Sequence, residues 1–228
     1  PYTKKKQIRV NPALNEKLLQ DNIERTRQMI TTLYLSCETD YVNGIKIYEN
    51  YIKIFNASDF FDKILKPVMY TIGEDWANKK ISIATEHVAS NVAQTLVKII
   101  MDQVTGSGKK KKIMICVPVG EEHHLGCDVL ETYLSLKGFK VFNMEVSLPA
   151  DAILNFIDSN KPDAILLSIT IEDNLLAGQR LVRKIRTHKK IPVLIGGYAL
   201  QSKNIPKFEG QIITDCGLEE IPKILKTM

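Results

Sequence analysis

The spacing of hydrophobic residues changes partway along the chain, near residue 105. Before that point, apolar positions recur every three or four residues, which is the period of amphipathic helices. After it, short runs rich in β-branched residues alternate with helical stretches. The junction, residues 105–112, contains glycine and serine and ends in four lysines, so it is predicted to be a linker. We therefore predict two domains, residues 1–104 and 113–228.

The first domain is predicted to be a four-helix bundle, because its helices are joined by short connections. The run Asn56-Ala57-Ser58-Asp59 ends one helix and offers capping side chains to the next. Aromatic residues in such a bundle are expected in its core by default. The helices are predicted over residues 15–35, 40–55, 59–77 and 83–104.

The second domain is predicted to be α/β, a Rossmann-like (flavodoxin-like) fold with a five-stranded parallel sheet. Regular alternation of strands and helices favours parallel strands joined by right-handed crossovers. Ligands of such sheets bind beyond the carboxyl ends of the strands. The strands are predicted over residues 113–117, 140–143, 164–168, 191–195 and 212–214, and the helices over 125–136, 149–159, 174–187 and 218–225.

Composition narrows the class of protein. The chain is 44% hydrophobic and 25% charged, as in ordinary soluble globular proteins. It has neither an apolar run of about 20 residues nor a secretory signal pattern, so we expect a cytoplasmic protein without a membrane partner. The net charge of +5 owes much to lysine runs at 4–6 and 109–112, which we interpret as solvated segments rather than nucleic-acid sites. The four cysteines form no CxxC pair, which argues against a disulfide framework or a zinc site.

Polar residues and glycines follow three of the predicted strands. The first strand is followed by residues 120–126, GEEHHLG, the third ends in Ser168-Ile169-Thr170, and the fourth ends in Gly196-Gly197. Because these strand ends share one edge of the sheet, the residues are expected to converge there. Glutamates repel phosphate and no GxGxxG or Walker pattern is present, so a nucleotide site is disfavoured. A metal ion bound directly by His123 and His124 would need further ligands, and this domain has no second cluster of residues to supply them.

The three motifs resemble the DxHxxG, SxL and GG signature of cobalamin-binding domains. Glu121 stands for the aspartate and Thr170 for the leucine of that signature. The resemblance covers about residues 110–228 and implies adenosylcobalamin or methylcobalamin as the cofactor. It implies that the lower base leaves cobalt and that His123 replaces it as the metal ligand, since imidazole binds cobalt well. His124 is a competing ligand, but the spacing to Gly126 favours His123.

The resemblance also assigns roles to the remaining motif residues. Glu121 is expected to fix the tautomer and basicity of His123. In some relatives the carboxylate is relayed to a hydroxyl beyond the SxL; here Asn174 is the nearest polar candidate. The other expected cofactor-binding residues contact the detached nucleotide tail of the cofactor. Gly126 would let the tail pass close to the main chain, Ser168 and Thr170 would line its channel, and Gly196 and Gly197 would leave room for its base.

The helical domain carries a second resemblance. Trp76, separated by nine residues from Glu86-His87, resembles the cap of cobalamin-dependent photoreceptors and their regulatory relatives. There, Trp and Glu cover the upper axial adenosyl group, so Trp76, Glu86 and His87 are expected to contact the cofactor. In the light-sensing repressors a histidine follows that Trp and captures cobalt after photolysis, whereas Ala77 follows it here, so His87 is the candidate to substitute. Residues 1–14 are too few for their winged helix-turn-helix, so direct DNA binding is not expected.

Two functions remain open, and they differ in the partner required. The first is a cobalamin- or light-responsive sensor or regulator whose self-association or protein partner changes with the upper ligand. The alternative is a corrinoid methyl carrier serving a separate methyltransferase, in which case the chain is a subunit and not an enzyme on its own. A mutase subunit ranks last because its substrate barrel of about 250 residues is missing. A relative that no longer binds cobalamin is disfavoured by the retained imidazole, carboxylate and glycines.

Overall fold

The chain divides into two compact units, residues Pro1–Ala89 and Ser90–Met228. A computed structural model describes residues 12–35, 41–104, 111–214 and 216–228. The division lies inside a helix, ahead of the predicted linker, of which residues 105–110 fall outside the described residues. No helix in the described part of the chain is long and apolar enough to cross a membrane.

The first unit is helical, and its third predicted helix is interrupted by a wider turn. This stretch consists of α3, a π-helical turn at Phe60–Leu65, and α4. Asn56 caps its start by accepting a hydrogen bond from the Asp59 main-chain nitrogen at 2.8 Å. The helices are α1 (Pro12–Leu35), α2 (Tyr41–Ile52), α3 (Ala57–Asp59), α4 (Lys66–Ala77) and the beginning of α5 (Ile83–Asp102).

A proline explains how α1 is tied to the π-helical turn. Pro67 has no N–H, so it cannot donate the helical hydrogen bond to the carbonyl of Lys63. Arg27 on α1 supplies the missing donor, since its Nε lies 2.5 Å from that carbonyl oxygen. In the same unit, Tyr48 packs edge-on against Phe60 with the ring centroids 5.0 Å apart. The most deeply buried side chains of this unit are Ile30, Tyr34, Phe60, Phe61, Ile64, Leu65 and Ile72.

The second unit contains a five-stranded, all-parallel sheet in the order β2-β1-β3-β4-β5. Its strands are β1 (Lys112–Cys116), β2 (Lys140–Asn143), β3 (Ala164–Ser168), β4 (Val193–Gly196) and β5 (Gln211–Ile212). The helices are α6 (Leu125–Leu136), α7 (Ala150–Asn160), α8 (Leu175–His188) and α9 (Ile221–Thr227). This is the flavodoxin-like strand order, so the predicted fold class is confirmed.

Burial of the sheet follows from its sequence. The central strands carry Met114, Ile165, Leu167 and Ile195, each buried, as expected for parallel strands covered on both faces. They form one hydrophobic core with residues of α7 and α8. The strand order reverses between β1 and β3, and such a reversal opens a crevice at the carboxyl edge of the sheet. The motif residues after β1 and β3 lie at this position.

Candidate functional site

The site is built around Glu121, which lies in the loop between β1 and α6. Its side chain is 0% exposed. Oε1 accepts a hydrogen bond from the His123 main-chain nitrogen at 3.1 Å and lies 3.0 Å from His123 Nδ1. Oε2 accepts from the main-chain nitrogens of Thr170 and Ile171, at 2.9 and 3.0 Å, and from Asn174 Nδ2 at 3.1 Å. Both oxygens are therefore satisfied by donors from the loops after β1 and β3.

These hydrogen bonds decide the charge of Glu121. Burial alone raises the pKa of a carboxyl group, but the donors from His123, Ile171, Thr170 and Asn174 outweigh burial and lower the pKa of Glu121 to about 2. Glu121 is consequently a carboxylate near neutral pH. A carboxylate accepts and does not donate, so it favours a proton on Nδ1 of His123.

The two adjacent histidines differ in their surroundings. The His123 side chain is 49% exposed while its Nδ1 faces Glu121. Within the described part of the chain, His124 has its Nδ1 buried without a hydrogen-bond partner. A metal ligand must be reachable and is usually fixed through its second nitrogen, and His123 meets both conditions. This geometry favours His123 over His124 as the ligand.

Two of the motif glycines, Gly126 and Gly196, leave open space next to Ser168. A β-carbon added to Gly126, in the first turn of α6, would meet Ser168 Oγ at 3.9 Å, which is an ordinary contact. Gly196 lies opposite Ser168 in the sheet register, and a β-carbon there would be 3.5 Å from Ile213. Together, Gly126 and Gly196 border Ser168 without filling the space beside it. A bulky ligand tail passing this edge would need such space.

Gly197 and Thr170 act through their main chains. Gly197 has φ +113°, and a β-carbon on it would lie 2.2 Å from the carbonyl oxygen of Ile169. It is therefore required for the close packing of β4 against the segment after β3. Thr170 contributes its amide to Glu121, a role that carries no side-chain signal and that the sequence could not reveal.

The remaining expected site residues belong to the helical unit. Trp76, near the end of α4, is 42% exposed, so the default placement of bundle aromatics in the core is wrong for this residue. Glu86 and His87 open α5, and Glu86 Oε2 lies 2.7 Å from His87 Nδ1. The Glu86 side chain is 14% exposed, whereas that of His87 is 67% exposed. Glu86 is thus held by its neighbour, and His87 reaches into solvent.

One buried acidic residue near the carboxyl edge of the sheet was not predicted from the sequence. Asp128 on α6 is 5% exposed, and Asn143 at the end of β2 donates to it at 3.0 Å. Burial raises the pKa of Asp128 to about 6, although the charge of Lys98 and the bond from Asn143 partly oppose this. No motif marks the residue, because its burial depends on how α6 packs on the sheet.

A carboxylate-anchored imidazole lies at the switch point of a parallel sheet, the place where ligands of such sheets bind, and comparison with known families specifies the ligand. A B12 binding domain model matches residues 111–204, and a second B12 binding domain model matches residues 42–101. The chain belongs to the cobalamin-binding domain family, and its cofactor is cobalamin.

Relatives of the chain include a transcriptional repressor and a corrinoid protein. It is 23% identical over 144 residues to the HTH-type transcriptional repressor CarH of Myxococcus xanthus, a match that covers 62% of this chain and 48% of the repressor. It is 22% identical over 183 residues to dimethylamine corrinoid protein 1 of Methanosarcina mazei, covering 76% of this chain and 82% of that protein. The chain therefore spans about half the length of the repressor but most of the corrinoid protein.

The fold is shared with a solved structure over nearly the whole chain. The monomethylamine corrinoid protein of Methanosarcina barkeri matches with a TM-score of 0.72 and 16% sequence identity. The alignment covers 92% of this chain and 99% of that chain. At this level of identity the likeness establishes a common fold.

Proposed function

We propose that this cobalamin-binding protein uses His123 as the lower ligand of cobalt and acts as a cobalamin- or light-responsive sensor. The observation that carries the ligand assignment is the 3.0 Å contact between Glu121 and Nδ1 of a half-exposed His123 at the switch point of the sheet. Imidazole is a good cobalt ligand, and a carboxylate on its second nitrogen raises its basicity.

The small residues around Ser168 support the binding of a detached nucleotide tail. Gly126 and Gly196 lack side chains where Ser168 ends β3. Filling either position would narrow that space. This arrangement fits a cofactor whose lower base has left the metal, which is the state that ligation by His123 requires.

The exposure of Trp76 supports the sensor function. A large aromatic side chain that is 42% exposed leaves part of its apolar surface available for contact with a ligand or a partner. Bound cobalamin would supply a cobalt–carbon bond that light can break. Trp76 and Glu86, both in the helical unit, would sense the upper ligand, and loss of that ligand would change self-association or the choice of partner.

A corrinoid methyl carrier is the second candidate, and a specific observation favours it. The match to dimethylamine corrinoid protein 1 covers most of both chains, whereas the match to the repressor covers less than half of that protein. In this role the chain presents a methyl group to a separate methyltransferase. His123 and Glu121 would adjust the basicity of cobalt, and Trp76 would have to move aside for each transfer.

Loading the protein separately with adenosylcobalamin and methylcobalamin tests the two roles. The sensor predicts that green light changes the mass in solution of the adenosylcobalamin form and that Trp76→Ala reduces this change. The carrier predicts light-independent mass and transfer of methyl groups by an added corrinoid-dependent methyltransferase. Stable mass under illumination, together with methyl transfer, would replace the sensor with the carrier.

The ligand assignment has its own test. His123→Ala should abolish the base-off, His-on spectrum of the loaded protein, and His124→Ala should leave it in place because its Nδ1 is buried. A His-on spectrum in the purified His123→Ala variant would show that another residue binds cobalt.

A further inference from the structure

The turn between α4 and α5, residues 78–82, closely follows the only tryptophan in the chain. We infer that Asp75 and Lys80 are positioning residues, whose ion pair closes this turn and so fixes Trp76 for contact with the upper ligand of cobalamin. The inference rests on the proposed function, in which Trp76 meets that ligand. It names two residues that belong neither to the cobalamin signature nor to the residues expected to contact the cofactor.

Main-chain hydrogen bonds give the end of α4 a defined shape. The Lys80 nitrogen donates to the Asp75 carbonyl at 2.8 Å, and the Lys79 nitrogen donates to the Trp76 carbonyl at 2.9 Å. This pair of bonds is the Schellman motif, in which the last carbonyls of a helix accept hydrogen bonds from the residues that follow it. The main chain of Trp76 is therefore part of the turn.

The motif usually contains a glycine, and here it does not. Lys79 occupies the position that takes a left-handed conformation, with φ +59°. A residue with a β-carbon adopts this conformation less readily than glycine does. The main chain alone thus closes this turn less firmly than it would with glycine, so a further contact has more to contribute.

The ion pair between Asp75 and Lys80 supplies that contact. Lys80 Nζ lies 2.8 Å from Asp75 Oδ1, across the same turn that their main-chain bond closes. Asp75 also lies in the last turn of α4, where the negative end of the helix dipole disfavours a carboxylate. The ammonium group of Lys80 offsets that repulsion. The same two residues therefore close the turn through their side chains as well as through the main chain.

The exposure of the pair indicates that its effect is local. The Lys80 side chain is 67% exposed and that of Asp75 is 27% exposed. Such ion pairs add little to the free energy of unfolding of a whole protein. They act on the segment that they join, whose local opening needs much less free energy than global unfolding. We therefore expect the pair to order Trp76 without measurably stabilising the fold.

The other side of the turn is fixed by a helix cap. Ser82 Oγ accepts a hydrogen bond from the Thr85 nitrogen at 3.0 Å, and the Ser82 carbonyl accepts one from the Glu86 nitrogen at 3.1 Å. The nine residues that separate Trp76 from Glu86 thus run through a hydrogen-bonded turn between two helix ends. Closing the turn converts this spacing into a fixed placement of Trp76 relative to Glu86.

Because Trp76 is the only tryptophan, its fluorescence reports on the turn in the apo protein. Lys80→Asp places a second carboxylate beside Asp75, so repulsion should open the turn. Acrylamide, an uncharged quencher, should then quench Trp76 more strongly. The hydrogen-exchange protection of the Lys79 amide, which donates to Trp76, should fall about two- to tenfold. Asp75→Lys combined with Lys80→Asp restores the attraction and should restore both values.

A matched control separates this effect from a general effect of charge. Lys63 forms an ion pair with Asp59 at 2.5 Å in the same unit, so Lys63→Asp creates the same repulsion away from the turn and should leave Trp76 unchanged. If a charged variant at position 80 fails to fold, Lys80→Met, which removes the ion pair, and Lys80→Arg, which keeps it, take the places of the single and the double variant. Unchanged quenching and exchange in the folded protein without the pair, or values that the restored pair leaves altered, would overturn the inference.

Cofactor binding in the dark distinguishes failure of this inference from failure of the proposed function. The quantity measured is the dissociation constant of hydroxocobalamin, which has a small upper ligand, divided by that of adenosylcobalamin. If Trp76→Ala leaves this ratio unchanged, the proposed function of Trp76 is wrong, while quenching and exchange still decide whether the ion pair fixes it. If Trp76→Ala lowers the ratio, Lys80→Asp should lower it too, and the restored pair should raise it again. A ratio that responds to Trp76→Ala and not to Lys80→Asp would overturn the inference and leave the proposed function in place.

Discussion

The main chain of Gly197 approaches Ile169 so closely that a β-carbon would stand 2.2 Å from the Ile169 carbonyl oxygen and 2.6 Å from its nitrogen. These contacts hold the turn after β4 against the segment that follows β3, where Ala199 N donates to Ile169 O at 3.1 Å. The same segment continues to Thr170 and Ile171, whose amides bind Glu121. The conformation of the turn at Gly197 is therefore linked to the position of the carboxylate.

Gly197→Ala should destabilise the protein strongly. The substitution adds strain at φ +113° and forces the main chain of Ile169 to move, so we expect the free energy of unfolding to fall by about 2–4 kcal/mol. Urea denaturation measures this change. Gly196→Ala is the matched control, because its β-carbon would meet nothing nearer than 3.5 Å and should cost less than about 1 kcal/mol. Equal losses in the two variants would contradict the close approach.

Glu121 should make the apo protein less stable in acid. Its pKa is about 2 in the folded protein against an ordinary 4.5, so the unfolded chain binds more protons between these values. Stability should therefore be fully present above pH 4.5 and fall as the pH drops toward 2, by about 3 kcal/mol in total. Glu121→Gln should lose this dependence and be less stable at pH 7, because its NH₂ would face a donor.

Denaturant titrations at pH 7, 5 and 3 check this prediction. Glu122→Gln, at the exposed neighbouring position, should keep the pH dependence of the unaltered chain. A Glu121→Gln protein with an unchanged slope between pH 5 and 3 would mean that another carboxylate is responsible.

Asp128 should have the opposite effect. Burial raises its pKa to about 6 from an ordinary 3.8, so the folded protein binds more protons between these values. Its contribution to stability is largest below pH 3.8 and is lost as the pH rises through 6. Asp128→Asn should therefore raise the free energy of unfolding at pH 8 by about 1–3 kcal/mol and change it little at pH 4. Asp102→Asn, at an exposed position on α5, is the control and should show no such pH-dependent gain.

Trp76 should matter more for the cofactor than for folding. Because it is 42% exposed, Trp76→Ala should lower the free energy of unfolding of the apo protein by less than about 1 kcal/mol. Ile72, one turn earlier on α4 and 1% exposed, is the comparison, and Ile72→Ala should cost about 2–4 kcal/mol. Chemical denaturation of both variants measures the difference. A loss at Trp76 as large as that at Ile72 would make it a core residue and remove the main support for the cap.

The sheet could be predicted from sequence because each strand is a short apolar run bounded by turn residues. β2, α6 and β3 occur at their predicted positions, and Gly138 ends α6 with φ +83°. The π-helical turn at Phe60–Leu65 was not predicted. Its residues keep a helical pattern, and a hydrogen-bond shift of one residue leaves no mark on that pattern.

The sequence by itself determined the α/β architecture and the cobalamin signature, and it singled out Glu121 and His123 as candidate site residues. Residue type and local spacing encode these features. Only the tertiary structure decided that the amides of Thr170 and Ile171 and the side chain of Asn174 donate hydrogen bonds to Glu121. It also decided that Gly120 leaves room for Asn174 and that Asp128 is buried. The main-chain groups of Thr170 and Ile171 reach Glu121 from 49 and 50 residues away, and the side chain of Asn174 reaches it from 53 residues away. Main-chain groups are the same in every sequence, so these contacts exist only once the strands are paired.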